Sequence, residues 1–284
     1  MEIKCSPYSN LHKENDFSCY TDENLLEIKS LWNEKHPDDM IIGDEFDIIH
    51  EELRNKTKYM CKNEICWLKH IGNIDDEIFD ESFAPIQPLA WDENDRYWLS
   101  NVDIMKIMSQ YEMIYKNFIF IGPTPIDYDA YSERKNDWVW DELKNFDLNK
   151  YINSNISQIG IIFNLDKHTK PGSHWVALYV DLNDNRLLYF DSNGLSVPSK
   201  IYTLCEKIKE QGLNSTPQRK FTLSSNYGNE HQMRNGECGI YVIFFIINIL
   251  THSLPWYIFK NEKISDNTMN EFRDIYFNEH KNTM

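Results

Sequence analysis

The segment from Ile240 to Leu250 constrains the fold of this chain more than any other, because it is apolar on every side of a helix. A helix without a polar face has to be surrounded by protein, so we predict a buried central helix here. No apolar run in the sequence reaches the ~18 residues that a membrane span needs, and none is predicted. Cys238 stands just before the segment, where the helix dipole and free backbone N–H groups favour a thiolate.

Five short segments upstream of this helix are predicted to be β-strands, because they are rich in β-branched and aromatic residues and are bounded by turn residues. They cover residues 118–121, 159–163, 175–180, 186–190 and 221–224. Asn183-Asp184-Asn185 is typical of a hairpin turn between the third and the fourth. Helical patterns cover residues 102–114 and follow Ser265-Asp266. The predicted class is therefore α+β, a mixed sheet packed against the central helix.

Residues 1–90 have a different character, helical and sparse in core residues. Thr21 is predicted to cap a helix, because acids and then apolar residues at helical spacing follow it. A second helix is predicted from Glu45 to Arg54. The acidic stretch from Gly72 to Pro88 then marks a boundary. We therefore predict a helical N-terminal arm, residues 1–90, and a second domain, residues 91–284.

The formal net charge of −16 repels the phosphate backbone of nucleic acids. Basic residues form only short clusters, such as Lys167-His168-Thr169-Lys170, so nucleic-acid binding is not expected and a protein partner fits better. The acidic balance also serves solubility. Because the N-terminus lacks an apolar leader, we expect a reducing compartment and six cysteines that are free thiols.

Four residues of the second domain together fit nucleophilic catalysis by a cysteine. His174 precedes one predicted strand and Asp191 ends the next, so a tight hairpin brings both side chains to its open end. His174 can accept the thiol proton while Asp191 orients the imidazole, and Trp175 can shield it from water. Gln232 and the Cys238 backbone N–H are candidate donors to an oxyanion. Taken singly, each residue is more often structural; their combination points to catalysis.

This set of residues resembles the clan of adenovirus endopeptidase (adenain) and the SUMO-specific proteases. Asp191 follows His174 by seventeen positions, and Gln232 precedes Cys238 by six. The segments 98–101 and 237–241 resemble the entry motif and the nucleophile motif of the SUMO-specific proteases. The resemblance implies a papain-like cysteine protease core in which these four residues are catalytic. Trp98 either packs over the histidine, as the resemblance implies, or anchors the helix that follows it.

Within that clan the chain is most similar to the polyprotein proteases of large nucleocytoplasmic DNA viruses, of the African swine fever virus and mimivirus type. The Cys-x4-Cys-x3-His segment, residues 61–70, is similar to part of the arm of the swine-fever enzyme. Residues 263–273 are similar to its C-terminal helix. One position departs from the pattern, because the third catalytic member there is Asn, whereas this chain has Asp191, as the cellular proteases do.

The resemblance implies a thiol endopeptidase that matures viral structural polyproteins, cleaving at Gly-Gly-x-type sites. No cofactor is predicted, and the sequence leaves open whether an activating peptide or nucleic acid takes part. Its expected locations are the virion and, during synthesis, the viral factory in the host cytoplasm. Three alternatives stay open. They are a protease that removes SUMO or ubiquitin, an acyltransferase, and a virion scaffold that has kept the fold without activity.

A second cysteine-rich group lies in the arm. Cys61, Cys66 and His70 could be three zinc ligands, but their spacing is not that of the usual structural sites and a fourth ligand is not evident. Thiols packed inward in a helical arm are the simpler interpretation. No metal is therefore expected.

Overall fold

The computed structural model describes residues 3–71, 76–94 and 97–280. By its internal contacts the chain forms two compact units, Met1–Asp95 together with Arg273–Met284, and Arg96–Phe272. The predicted limits of the arm and of the second domain, at residues 90 and 91, stay predictions. Among the described residues, no helix combines the length and the apolar character that crossing a membrane requires.

The first unit is helical in its described part up to residue 94. Its α-helices are α1 Pro7–His12, α2 Asp22–Lys35, α3 Phe46–Thr57, α4 Trp67–Ile71 and α5 Asp76–Ser82, with 3₁₀ turns at Glu64–Cys66 and Leu89–Asp92. Thr21 caps α2 as predicted, since its hydroxyl accepts from the Asn24 N–H and the Asn24 side chain accepts from the Thr21 N–H. The apolar faces of α2 and α3 bury Leu25, Ile28 and Leu53 in one cluster.

The prediction of six free thiols is wrong for four of them. Cys5 is bonded to Cys19 and Cys61 to Cys66, with Cα atoms 5.0 and 5.4 Å apart. Separations of this size suit a disulfide. Which cysteines pair depends on which ones the fold places side by side, whereas the prediction of free thiols rested only on the expected compartment. Cys205 and Cys238 are free and buried.

The metal question in the arm changes accordingly. The possible ligand atoms of Cys61, Cys66 and His70 lie within 4.8 Å of one another. In the disulfide, however, the two sulfur atoms are bonded to each other, whereas zinc binds thiolates. The prediction of free thiols packed inward is also wrong for these two residues: both cysteines are buried, but they are bonded to each other.

The second unit contains the sheet. Its helices are α6 Asn101–Ile114, α7 Asp141–Lys144, α8 Leu148–Asn153, α9 Ser199–Leu213, α10 Cys238–Leu250, α11 Trp256–Asn261 and α12 Asp266–Tyr276, the last turn of which belongs to the first unit. Its strands are β1 Phe118–Pro125, β2 Tyr131–Ser132, β3 Asp137–Trp138, β4 Gln158–Asn164, β5 Trp175–Asp181, β6 Arg186–Phe190 and β7 Thr222–Ser225.

The main sheet has the strand order β1-β4-β5-β6-β7, and β2 pairs with β3 in a separate two-stranded sheet. The outer pairs β1–β4 and β6–β7 are parallel, whereas β4–β5 and β5–β6 are antiparallel. The sheet is therefore mixed, and the predicted α+β class is confirmed. The predicted turn at residues 183–185 joins β5 to β6, with Asn185 in the left-handed region at φ 53°.

Both faces of this sheet are covered by helices, which explains why β4 and β5 are buried at every position. Val176, Leu178 and Val180 point into a cluster that includes the apolar residues of α9. The alternate residues face α10, where the ring centroids of Tyr179 and Phe245 are 6.5 Å apart. All thirteen residues of α10 are buried, so the predicted central helix is confirmed.

This arrangement brings the start of β5, the end of β6 and the start of α10 to one place. His174 immediately precedes β5, Asp191 immediately follows β6, and Cys238 is the first residue of α10, which packs on β5. Because β5 and β6 are antiparallel, the start of one lies beside the end of the other.

Candidate active site

The side chains of His174 and Asp191 meet at the open end of the β5–β6 hairpin, as predicted. The distance from His174 Nε2 to Asp191 Oδ1 is 2.7 Å. The carboxylate is almost fully buried, with 1% of its side chain exposed, while 12% of the histidine side chain is exposed. Asp191 can therefore hold the imidazole in one orientation, which leaves Nδ1 as the ring nitrogen for Cys238.

Asp191 is itself held by backbone and side-chain contacts that the sequence did not predict. The Asn193 N–H donates to Asp191 Oδ1 at 2.9 Å, and Asp191 Oδ2 is buried without a hydrogen-bond partner among the described residues. Asn226 clamps the backbone of Asp191, since its Oδ1 accepts from the N–H at 3.0 Å and its Nδ2 donates to the carbonyl at 2.7 Å. Asn226 directly follows β7, which is parallel to β6, so both strands end at the same edge of the sheet.

Cys238 faces the histidine from the start of α10, with only 1% of its surface exposed. Burial lowers the pKa of His174, but hydrogen bonds with Asp191 and Cys238, together with their charges, outweigh it and raise that pKa from 6.5 to about 9. The imidazole is therefore protonated at neutral pH. A histidine placed between a buried carboxylate and a buried sulfur can exchange a proton with that sulfur, which is what a nucleophilic cysteine requires.

Gln232 is fixed next to this pair with its amide in a defined orientation. Its Oε1 accepts from the Ser192 hydroxyl at 2.8 Å, and its Nε2 donates to the Arg234 carbonyl at 2.6 Å. The backbone repeats the link, because the Gln232 N–H donates to the Ser192 carbonyl at 2.9 Å. The described residues accept only one of the two amide hydrogens, so the second is available for a substrate. Ser192, adjacent to Asp191, is a residue that the sequence interpretation missed.

These side chains border one small cavity of about 320 Å³. It is lined by Trp98, Ser173, His174, Asn193, Glu230, Gln232, Met233, Arg234, Asn235, Gly236 and Cys238. The structure thus brings together three of the four predicted catalytic side chains at its wall, with Asp191 buried behind His174.

The two predicted supporting tryptophans have different positions. Trp98 lines the cavity and is 39% exposed. Trp175 does not line it; its indole N–H donates to the Leu99 carbonyl at 3.1 Å from a buried position. Gly239 allows α10 to approach the same segment, because a Cβ at this position would lie 3.0 Å from Leu99 Cβ. Trp175 and Gly239 therefore position the backbone next to Trp98.

Comparisons with known proteins agree with this geometry. Residues 110–284 match the model of the Ulp1 protease family, C-terminal catalytic domain. Over 96% of this chain, the sequence is 31% identical to a putative thiol protease of Acanthamoeba polyphaga mimivirus, 92% of which is covered. Over 63% of this chain, it is 27% identical to a cysteine protease of African swine fever virus, 67% of which is covered.

The crystal structure of the African swine fever virus protease has the same fold. It superposes with a TM-score of 0.66 at 20% sequence identity, covering 97% of this chain and 95% of that one. The predicted adenain and SUMO-protease type of fold is thereby confirmed. Because the family model spans more than half of the chain and the mimivirus relative is similar over nearly all of it, this chain belongs to the Ulp1 protease family and is a cysteine peptidase.

Proposed function

We propose that this peptidase is an endopeptidase that cleaves viral structural polyproteins during virion maturation. In this proposal Cys238 is the nucleophile, His174 its acid and base, Asp191 the residue that orients His174, and Gln232 the oxyanion donor. The observation that carries it is the position of His174 between a buried carboxylate and a buried thiol, with its pKa raised to about 9.

The acylation step follows from these positions. The Cys238 thiolate attacks the carbonyl carbon of the scissile peptide bond, and the negative charge moves to the carbonyl oxygen. The free amide hydrogen of Gln232 and the Cys238 backbone N–H donate to that oxygen. When the C–N bond breaks, His174 gives its Nδ1 proton to the departing amine, and a thioester remains on Cys238.

Hydrolysis then restores the enzyme. The neutral imidazole of His174 takes a proton from a water molecule, whose oxygen attacks the thioester carbon. The acid product leaves, Cys238 returns as a thiolate, and His174 is again protonated. Asp191 keeps the imidazole in place during both steps and stabilises its charged form.

The proposed substrate rests on the family resemblance and on the relatives. A Gly-Gly-x sequence would let the substrate backbone come close to the buried Cys238, because glycine has no side chain to keep it away. The similar proteins are a putative thiol protease of mimivirus and a cysteine protease of African swine fever virus, so a viral enzyme is proposed here, and viral structural precursors are its proposed substrates. The virion and the cytoplasmic viral factory are its proposed locations.

Removal of SUMO from conjugates is the second candidate. Two observations favour it: the match to the Ulp1 family, and the name SUMO-1 cysteine protease that three swine-fever relatives bear. Both reactions use the same four residues, so the substrate alone separates them.

The test compares Cys238→Ala and His174→Ala with a matched control, Cys205→Ala. Cys205 is also a buried free thiol, but burial raises its pKa to about 12 and it lies on α9, outside the cavity. Cleavage of a precursor with a Gly-Gly-x site should be lost in the first two variants and kept in the control. Full activity of Cys238→Ala would refute the assignment, and faster turnover of a SUMO conjugate than of the precursor would favour the second candidate.

A further inference from the structure

The first unit holds a positively charged cavity in an otherwise acidic sequence. Residues 1–95 contain 9 Lys or Arg and 23 Asp or Glu. Four of those nine basic residues nevertheless line a single cavity of about 660 Å³, which we call the cationic cavity. They are Lys13, Arg54, Lys58 and Lys62. The volume lies within the range of roughly 300–1,000 Å³ that is usual for small-molecule sites.

These four cations have no carboxylate partner within the described part of the chain, whereas Lys29 of the same unit lies 2.6 Å from Asp44. Two carboxylates border the cavity. Glu64 is already engaged, since it accepts from the Cys19 N–H at 2.9 Å and contacts His50 Nε2 at 3.3 Å. Asp16 is exposed. The lining therefore carries four cations against two carboxylates, and this excess of positive charge attracts an anion.

An aromatic wall lies beside these charges. The ring centroids of Phe17 and His50 are 5.0 Å apart, and those of His50 and Trp67 are 4.9 Å apart. Phe17 is at the outer end of this row and is 45% exposed, so it offers a ring on which a planar group can stack. Arginine and lysine next to an exposed aromatic ring suit a ligand that combines phosphates with a flat heterocycle.

The four cations reach this cavity from separate segments of the chain. Lys13 comes from the end of α1, Arg54 and Lys58 from α3 and its C-terminal end, and Lys62 from the next loop. The two disulfides close the loops on either side, since Cys5–Cys19 spans Lys13 and Cys61–Cys66 spans Lys62. Such closure restrains both loops before a ligand arrives. A compact polyanion fits this arrangement better than an extended nucleic-acid backbone does.

We propose that the cationic cavity is a nucleotide-binding site, with the four cations around the phosphates and Phe17 against the base. This inference goes beyond the proteolytic function and does not depend on it. No residue of the cavity belongs to the catalytic set, so its failure leaves the peptidase assignment unchanged.

The test is calorimetric titration of the full chain with ATP, with inorganic tripolyphosphate and with adenosine. Lys58→Glu and Arg54→Glu should each weaken ATP binding about tenfold or more, because each removes a charge-assisted contact and adds a repulsion. Lys35→Glu, an exposed lysine on α2 outside the cavity, is the matched control and should change the affinity less than about twofold. Phe17→Ala should weaken ATP binding but not tripolyphosphate binding.

Folding of each variant is checked by thermal melting, and the neutral variant Lys58→Ala replaces Lys58→Glu if the latter unfolds. Absence of saturable ATP binding at millimolar concentration would overturn the proposal, as would an equal loss in Lys35→Glu. Equal binding of ATP and tripolyphosphate, unchanged by Phe17→Ala, would refute the nucleotide in favour of a simple anion. Tighter binding of a single-stranded oligonucleotide or of a hexaglutamate peptide than of ATP would also refute it.

Discussion

The raised pKa of His174 makes a quantitative prediction about how activity depends on pH. Raising that pKa from 6.5 to about 9 corresponds to about 3 kcal/mol in favour of the imidazolium. The protonated imidazole is needed beside the thiolate, so kcat/KM should stay high through neutral pH and fall as pH rises through about 9.

Asp191→Asn isolates the part of this effect that comes from the carboxylate. The amide can still accept the hydrogen bond from His174 Nε2 and from the Asn193 N–H, which in the native protein are 2.7 and 2.9 Å long. The substitution removes the negative charge of Asp191. Loss of an opposite charge typically lowers the pKa of a neighbouring histidine by roughly one to three units. The alkaline limb of kcat/KM should therefore move down by about one unit or more. With the pKa of His174 lowered from about 9 to about 8, the protonated fraction falls roughly fivefold at pH 9 but only by about a tenth at pH 7, so the loss of kcat/KM should appear mainly above pH 8.

The assay is cleavage of a fluorogenic Gly-Gly peptide from pH 5 to pH 11, with NMR titration of the imidazole in the Cys238→Ala background. Asp184→Asn is the matched control, because Asp184 is exposed in the turn of the same hairpin. A wild-type alkaline limb near 6.5 would refute the reasoning, and so would an unchanged limb in Asp191→Asn.

The same pKa sets the sign of a stability effect. A group whose pKa is higher in the folded state than in the unfolded one stabilises the fold below its unfolded pKa. For His174, that contribution is complete below 6.5 and is lost as pH rises through about 9. Denaturant unfolding of the wild type should show this loss, and His174→Ala should be less sensitive to pH in that window.

Three further predictions concern contacts around the site and the arm. Ser192→Ala should lower kcat about tenfold with little change in KM, because the Ser192 hydroxyl orients the amide of Gln232. In a Gln232→Ala background, Ser192→Ala should cause no further loss of kcat. Gly239→Ala should lower stability by about 1–3 kcal/mol and reduce kcat/KM, since the added methyl would meet Leu99; an unchanged melting temperature would contradict this. Thiol titration of the denatured protein should find two free thiols before reduction and six after it, and reduction should lower the melting temperature.

The parts of the fold that the sequence predicted are those decided by local patterns. The capped start of α2, the apolar helix α10 and the five strands of the main sheet follow from side-chain periodicity and turn residues within one segment. The hairpin placed His174 next to Asp191 because the register of two antiparallel strands is fixed by their turn. α9 lies outside the predicted elements, although Ile201, Leu204 and Ile208 have helical spacing.

What the sequence could not predict depends on segments that are distant in the chain. Asn226 lies beside Asp191 only because β7 pairs with β6 in parallel, although the helix α9 separates the two strands in the sequence. The disulfide between Cys5 and Cys19 requires a particular path of the loop between them. The short β2–β3 pair, two residues in each strand, has too little sequence to carry a pattern.

The four predicted catalytic residues illustrate why a site can be inferred with more certainty than its surroundings. His174, Asp191 and Cys238 each stand at the end of a regular element, so predicting the element also places the side chain. Ser192 and Asn226 act on them only through hydrogen bonds made in loops, where no periodicity indicates a role. The identity of the reacting side chains therefore follows from the ends of β5, β6 and α10. Their exact orientation depends on polar contacts between loops that come together only in the folded chain.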